Sequence, residues 1–236
     1  MILCLDAGNT RLKWGVRDAD TWRAQGACVY ADCVGLVAAL PADIERILAC
    51  NVAGAEAVQR IEALTATLGV PLDWFHSSAS CCGVTNGYGH PAQLGADRWA
   101  ALVGARGIHS GDALVVMAGT ATTIDVLDAD GKFRGGLILP GLDLMRKALA
   151  RNTAGLPEAR GHFHAIPTNT DDAIVSGAVQ ATIGAIERMG RRFADTEFLC
   201  LLSGGAAKAL APHLELPLRC VDNLVLEGLA RVAAPC

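Results

Sequence analysis

One short pattern occurs twice, 111 residues apart. Leu5-Asp6-Ala7-Gly8 closes an apolar run near the start of the chain, and Val116-Met117-Ala118-Gly119 closes another at the midpoint, with Met117 standing where Asp6 stands. At 236 residues the chain exceeds the usual single-domain size. A repeat of this kind divides it into two related halves, 1–110 and 111–236. In the first half residues 1–5 read as a buried strand, broken by the turn chemistry of Asp6-Ala7-Gly8-Asn9-Thr10. Leu12, Trp14 and Val16 alternate with Arg11, Lys13 and Gly15, a period of two that marks a second strand. Residues 22–29 supply a third. A short helix over 34–40, a strand over 47–52, an amphipathic helix over 56–68 and a strand over 72–75 follow. A polar, glycine-containing loop over 77–90 then leads to a helix beginning near Gly95. The second half reads the same way. Strands over 113–117, 122–127 and 132–139 precede a helix to about 150, a linker over 152–169 and a long helix over 170–193. A strand over 198–202, a helix after Gly204-Gly205, a short strand near Leu218 and a helix from Asn223 complete it. The order β-β-β-α-β-α-β-α thus appears twice.

Composition limits the partners. Aromatic residues are 5% of the chain and the formal charge is −4, with no run of Lys or Arg to follow a phosphate backbone, so nucleic acid is not an expected partner. Hydrophobic residues reach 52%, enough for a sizeable core, yet no apolar stretch has the length of a membrane span. The nine cysteines are odd in number, form no CxxC pair and follow no secretory signal. They read as reduced thiols packed as small hydrophobes in a cytoplasmic protein. His162 and His164 have no third ligand nearby in sequence and are expected on an exposed loop.

Three turns can carry chemistry. At Asp6-Ala7-Gly8-Asn9-Thr10 the backbone N–H groups and the Asn9 and Thr10 side chains can surround an anion. Asp6 beside that anion calls for a bridging Mg²⁺, and Lys13, which shares a strand face with Arg11, can offset phosphate charge. An ordinary hairpin turn would use the same residues. Gly119-Thr120-Ala121-Thr122-Thr123 is the matching turn of the second half, and Thr suits a strand there as well. Ser203-Gly204-Gly205, between a strand and a helix, permits close backbone approach of an adenine or ribose face. A Walker-type GxxxxGK[ST] loop is absent. Gly95-Ala96-Asp97-Arg98 opens a helix, where Asp97 is either a capping acid or the carboxylate that accepts a hydroxyl proton. The helix dipole and Arg98 are expected to keep it ionised.

The twofold order of elements resembles the actin-like kinase and ATPase architecture, an α/β fold of two ribonuclease-H-like halves around a nucleotide cleft. The motifs go further. Residues 6–13, the stretch from Tyr88 to Arg98, Gly119-Thr120-Ala121-Thr122-Thr123, Gly135-Gly136-Leu137-Ile138-Leu139-Pro140-Gly141, Thr170-Asp171-Asp172-Ala173, Ser203-Gly204-Gly205 and Asn223-Leu224-Val225-Leu226-Glu227-Gly228-Leu229 together resemble type III pantothenate kinase, in order and over nearly the whole chain. That resemblance implies transfer of the γ-phosphoryl group of ATP to pantothenate, the first step towards coenzyme A. It assigns Asp6, Ala7, Gly8, Asn9, Thr10, Arg11, Leu12, Lys13 and Thr120 to ATP, with Asp6 orienting Mg²⁺. It assigns Tyr88, Gly95, Ala96, Asp97, Arg98 and Thr170 to pantothenate, with Asp97 as proton acceptor. It also implies a homodimer with the pantothenate pocket at the subunit interface, and a monovalent cation such as K⁺ or ammonium. The family places an Asp at the position of Met117 for that cation, and Met cannot replace it. Two other readings are a kinase of another small alcohol such as a sugar, and a non-catalytic regulator on the same fold. Retention of both Asp6 and Asp97 weighs against the regulator.

Overall fold

The computed structural model describes residues 1–193 and 197–234. In chain order the first stretch forms β1 (Ile2–Ala7), β2 (Leu12–Asp18), β3 (Thr21–Cys28), two 3₁₀ turns (Cys33–Gly35 and Val37–Ala39), β4 (Arg46–Asn51), α1 (Ala55–Ala66), β5 (Leu72–Trp74), a small hairpin of β6 (Ser80–Cys81) and β7 (Val84–Thr85), and α2 (Ala96–Ile108). The second forms β8 (Asp112–Ala118), β9 (Ala121–Leu127), β10 (Phe133–Pro140), α3 (Leu142–Asn152), α4 (Thr170–Gly190), β11 (Phe198–Ser203), α5 (Ala207–Leu210), β12 (Leu218–Cys220) and α6 (Leu224–Ala233). The chain divides into two compact units. One comprises 1–110, 131–133 and 223–236, and the other 111–130 and 134–222. The last helix in sequence therefore belongs to the first unit.

Each unit is built on a five-stranded sheet of the same order, β3-β2-β1-β4-β5 and β10-β9-β8-β11-β12. In both, the first strand pairs antiparallel with the second and parallel with the fourth, and the fourth pairs parallel with the fifth. Alternation along β1 sends Leu3, Leu5 and Ala7 into one core with Ile47, Ala49 and Ile61 of α1. The intervening Cys4 and Asp6 face the opposite side. In the second unit Leu114, Val116 and Ala118 share a core with Val179, Ile183 and Ile186 of α4.

The helix expected over 34–40 is not α-helical. Leu36 N–H donates to the Cys33 carbonyl and Leu40 N–H to that of Val37, the i→i+3 pattern of 3₁₀ turns. Seven residues that include Gly35 are too short to repay helix nucleation. After Gly204-Gly205 only one α turn forms, Ala207–Leu210, followed by a 3₁₀ turn at Ala211–His213 that contains Pro212. Cys28 and Cys33 form a disulfide with Cα atoms 5.7 Å apart, which corrects the reduced-thiol expectation for that pair. The end of β3 and the 3₁₀ turn bring together two residues that sequence spacing alone does not join. Cys4, Cys50 and Cys200 are buried thiols as expected, and burial pushes the Cys4 and Cys200 thiols up to about 12. Cys236 lies outside the described residues.

Helix α6 crosses α2 so closely that backbones touch. A Cβ on Gly228 would stand 1.8 Å from the Ala100 carbonyl oxygen. Across the sheet edge, Glu227 accepts from Arg17 Nη1 at 2.9 Å and from Trp22 Nε1 at 2.7 Å, tying α6 to β2 and β3. Gly228→Ala is therefore expected to lower stability by about 1–3 kcal/mol through overpacking. Gly177→Ala, on an exposed face of α4 with no atom within 4 Å of the added carbon, should raise it by about 0.4–1 kcal/mol. Urea unfolding of both variants checks this, and equal responses would remove the close-approach account.

Candidate active site

A row of three side chains crosses the first sheet. In register, Asp6 of β1 stands opposite Lys13 of β2 on one side and Cys50 of β4 on the other. Lys13 Nζ donates to Asp6 Oδ2 at 3.2 Å, and the Cys50 thiol lies 3.7 Å from Oδ1. Asp6 is 3% exposed, so its charge depends on these partners. Complete burial, with the neighbouring Asp6 carboxylate adding to it, pushes the Cys50 thiol well up, which keeps it a neutral donor. The turn that follows is pinned by Gly8 N–H donating to the Asp6 and Arg11 carbonyls, both at 3.2 Å. Asn9, Thr10 and Arg11 are exposed on it, whereas the Ala7 and Leu12 side chains sit in the core. Those two can offer a ligand only their backbone.

Asp97 enters the same region from the first turn of α2, after the helix cap Gly95. Its Oδ1 accepts from the Arg98 N–H at 2.8 Å. A Cβ on Gly95 would fall 2.7 Å from that oxygen, so glycine is what lets the carboxyl fold back. Burial raises the Asp97 pKa, with Asp6 adding to the effect, while the Arg98 N–H, its guanidinium and Lys13 act in the other direction. Desolvation thus outweighs the Arg98 contributions that were expected to keep this acid ionised, and the net shift is upward. The two acids, Asp6 and Asp97, feel one another, with Lys13 between their fields.

The loop before α2 is organised by Asn86. Its amide donates to the carbonyls of Ser78 (3.2 Å) and Pro91 (3.3 Å), and its oxygen accepts from Tyr88 N–H at 3.0 Å. Tyr88 is thereby set to receive Arg98 Nη1 on its hydroxyl at 3.1 Å. The buried Arg98 guanidinium also lies 5.8 Å from the centres of both the Tyr88 and Phe133 rings. Aromatic faces and a phenol thus help to hold this buried cation in place.

In the second unit the equivalent row is Thr123, Met117 and Ser203, by the same register. It carries no charge. The turn is one residue shorter, since Ala7 pairs with Leu12 but Ala118 with Thr122. Thr120 is exposed on it, and its carbonyl accepts from Gly141 N–H at 3.0 Å. Thr170 is the first residue of α4, whose Asn169 cap accepts from Asp172 N–H at 2.9 Å. His162 N–H donates to Asp172, which lowers that acid's pKa; the Asn169 amide adds to this. His162 and His164 are both exposed, and no group of three metal-binding side chains exists among the described residues.

Within the first unit the structure thus brings Asp6, Lys13 and Asp97 together, and Tyr88 with Arg98. Thr120 and Thr170 stand in the other unit. Sequence reading missed Cys50, Tyr30, Asn86 and Phe133. Only Asn86 carried a signal, as the first member of an Asn-Gly turn pair.

Two solved structures share this architecture over nearly its whole length. A candidate 2-dehydro-3-deoxygalactonokinase from Sinorhizobium meliloti gives a TM-score of 0.63 at 16% identity, covering 99% of this chain and 98% of its own. A candidate Baf-family transcriptional activator from Campylobacter jejuni gives 0.61 at 20%, covering 98% and 96%. At such identity the likeness is one of fold, and it defines the class: the duplicated ribonuclease-H-like fold of actin-like kinases and ATPases. A family model described as type III pantothenate kinase matches residues 2–192. A type III pantothenate kinase of Aromatoleum aromaticum is 55% identical over 237 residues, 99% of this chain and 98% of its own length. The chain belongs to the type III pantothenate kinase family.

The raised pKa of Asp97 has a consequence for stability. The folded protein holds this proton at a pH where the unfolded chain has already lost it. Folding is therefore weakened as pH rises from the ordinary carboxylate range, near about 4, through the folded pKa. Asp97→Asn removes that penalty. Its Tm should exceed the wild type's at neutral pH, with the difference shrinking as pH falls below the folded pKa. A variant less stable than wild type at neutral pH would contradict the burial account.

Proposed function

We propose that this chain transfers the γ-phosphoryl group of ATP to the primary hydroxyl of pantothenate. The observation that carries the reading is family membership over nearly the full chain, joined to two retained acids whose fields overlap. Residues 6–13 and Thr120 bind the ATP phosphates, the second unit holds the adenosine side, and Tyr88, Gly95, Ala96, Asp97, Arg98 and Thr170 hold pantothenate. Asp6 offers a hard carboxylate oxygen beside the first turn, the donor chemistry that Mg²⁺ takes. When bound with ATP, Mg²⁺ supplies charge neutralisation at the phosphates. Lys13 offsets the negative charge gathered around Asp6, and Arg98 orients the anionic acceptor. The acceptor hydroxyl oxygen forms the new bond to phosphorus, its proton passes to Asp97, and the bond from phosphorus to ADP breaks. Burial makes Asp97 a stronger base than an exposed carboxylate, although positioning contributes more than base strength if the transition state is loose.

The same reading makes the protein a cytoplasmic homodimer. No helix among the described residues is long and apolar enough to cross a membrane. Leu137 and Ile138 of β10 with Leu144 and Leu149 of α3 leave large apolar side chains exposed on one unit, surface that a second copy would cover. Sedimentation at assay concentrations tests that state.

An ADP-release assay with pantothenate, sugars and no acceptor tests the activity. Turnover with a sugar but not with pantothenate would overturn the acceptor assignment. Asp97→Asn should lower kcat by roughly 10²–10⁴ with nucleotide binding retained. Asp6→Asn should raise the KM for Mg·ATP and be partly rescued by added Mg²⁺. Near-normal turnover of Asp97→Asn would make Asp97 a helix cap only.

Position 117 does not fit a monovalent cation. Met117 offers a thioether where K⁺ prefers a hard, charged oxygen, and its in-register neighbours Thr123 and Ser203 are neutral hydroxyls. K⁺ and ammonium should therefore activate weakly, and Met117→Asp should strengthen the response at fixed ionic strength. Strong, saturable K⁺ activation of the wild type, unchanged by the substitution, would show that this position does not govern the cation.

A further inference from the structure

We propose that Tyr30 is a positioning residue for the first glycine turn, and that the Cys28–Cys33 disulfide closing its loop makes nucleotide affinity respond to thiol redox state. The inference rests on reading residues 6–13 as the phosphate site and goes beyond it. Tyr30 lies inside the loop that the disulfide closes, two residues after Cys28 and three before Cys33. Its hydroxyl donates to the Gly8 carbonyl at 2.8 Å. Because a trans peptide is planar, with C=O and N–H pointing opposite ways, holding the Gly8 carbonyl also aims the Asn9 N–H. That N–H belongs to the exposed part of the turn, where phosphate oxygens would be met. Burial, with Asp6 and Cys50 adding to it, pushes the phenol up to about 12, so it stays a donor at neutral pH.

The ring packs at the edge of the first core and also borders free volume. A cavity of about 440 Å³ is lined by Leu12, Tyr30, Cys33, Ile61 and Leu64. A smaller hollow of about 250 Å³, lined by Asn9, Tyr30, Ala53 and Glu56, adjoins the turn. Tyr30 thus borders two cavities, and the hydrogen bond and the covalent closure of its loop add to its core packing in keeping it against Gly8. A disulfide in a thiol-reducing compartment is more often a sensor than a structural staple.

The chemistry is thiol–disulfide exchange with a dithiol reductant. Cys28 is partly exposed and Cys33 is buried, so a reductant thiolate attacks Cys28 Sγ. The bond between the two cysteine sulfurs breaks, and Cys33 leaves as a thiolate that takes up a proton. The reductant's second thiol then displaces Cys28, which also leaves as a thiol. The reductant ends as a disulfide and the protein has gained two hydrogens. The loop is then open, and Tyr30 can swing into the larger cavity.

The test measures binding of a non-hydrolysable ATP analogue with Mg²⁺ by calorimetry, alongside KM for ATP and pantothenate. It compares oxidised wild type, dithiothreitol-reduced wild type, the double variant Cys28→Ser/Cys33→Ser, and Tyr30→Phe. Reduction should weaken analogue binding roughly 3- to 10-fold, the worth of one neutral hydrogen bond. The KM for ATP should follow, with kcat and the KM for pantothenate changed by less than about twofold. The double variant should match reduced wild type and ignore dithiothreitol, and Tyr30→Phe should bind weakly in both states. Equal affinity of oxidised and reduced wild type overturns the proposal, as does a redox response that persists in Tyr30→Phe. Binding absent from every state overturns the phosphate-site reading itself, and the proposal with it. The wild-type arms decide the matter even if the double variant does not fold.

Discussion

Asp6 is 3% exposed on the central strand of its sheet, where an unpaired carboxylate would cost several kcal/mol. Lys13 and Cys50 meet that demand because register places both beside it. The consequences spread outward. Lys13 is committed to Asp6 at 3.2 Å, and the field of the pair reaches Asp97 on α2. Burial pushes the Cys50 and Tyr30 pKa values up, and the same carboxylate adds to both shifts. One buried charge thus adds to the burial shifts of three further groups contributed by three different parts of the chain.

The two units keep one topology and divide the chemistry between them. Equal strand order and equal pairing directions make β1 and β8 counterparts, yet the row across the first carries an acid and a base, and the row across the second carries none. The hairpin turn also shortens by one residue in the second unit. A duplicated scaffold can lose charge at one copy without losing its sheet, because the ladder hydrogen bonds are made by backbone.

Much of this was legible in the sequence for local reasons. Apolar runs ended by glycine turns marked β1 and β8, alternation from Leu12 to Val16 marked β2, and the polar, Gly- and Pro-containing linker over 152–169 marked the start of α4. What escaped depended on distant contacts. Residues 34–40 carry helix-forming side chains but too few of them to nucleate. The disulfide was hidden by an odd cysteine count. The upward shift of Asp97 was missed because helix dipole and Arg98 are visible in the sequence, whereas burial is not. Tyr30 reaches Gly8 across 22 residues, a contact for which no spacing rule exists.

Chain order gives the molecule an unusual schedule during synthesis. Domains generally fold as their residues emerge, the N-terminal one first. Here α6, which lies against β1, β4 and α2 and receives Arg17 and Trp22 on Glu227, comes after the whole second unit has been made. The sheet that carries Asp6 therefore waits for its last helix until synthesis is almost over, with one apolar side uncovered. A chain that ends shortly before Leu224 keeps every strand of the second unit but lacks α6, with the side of β1 that bears Cys4 and Asp6 open to water or to a chaperone.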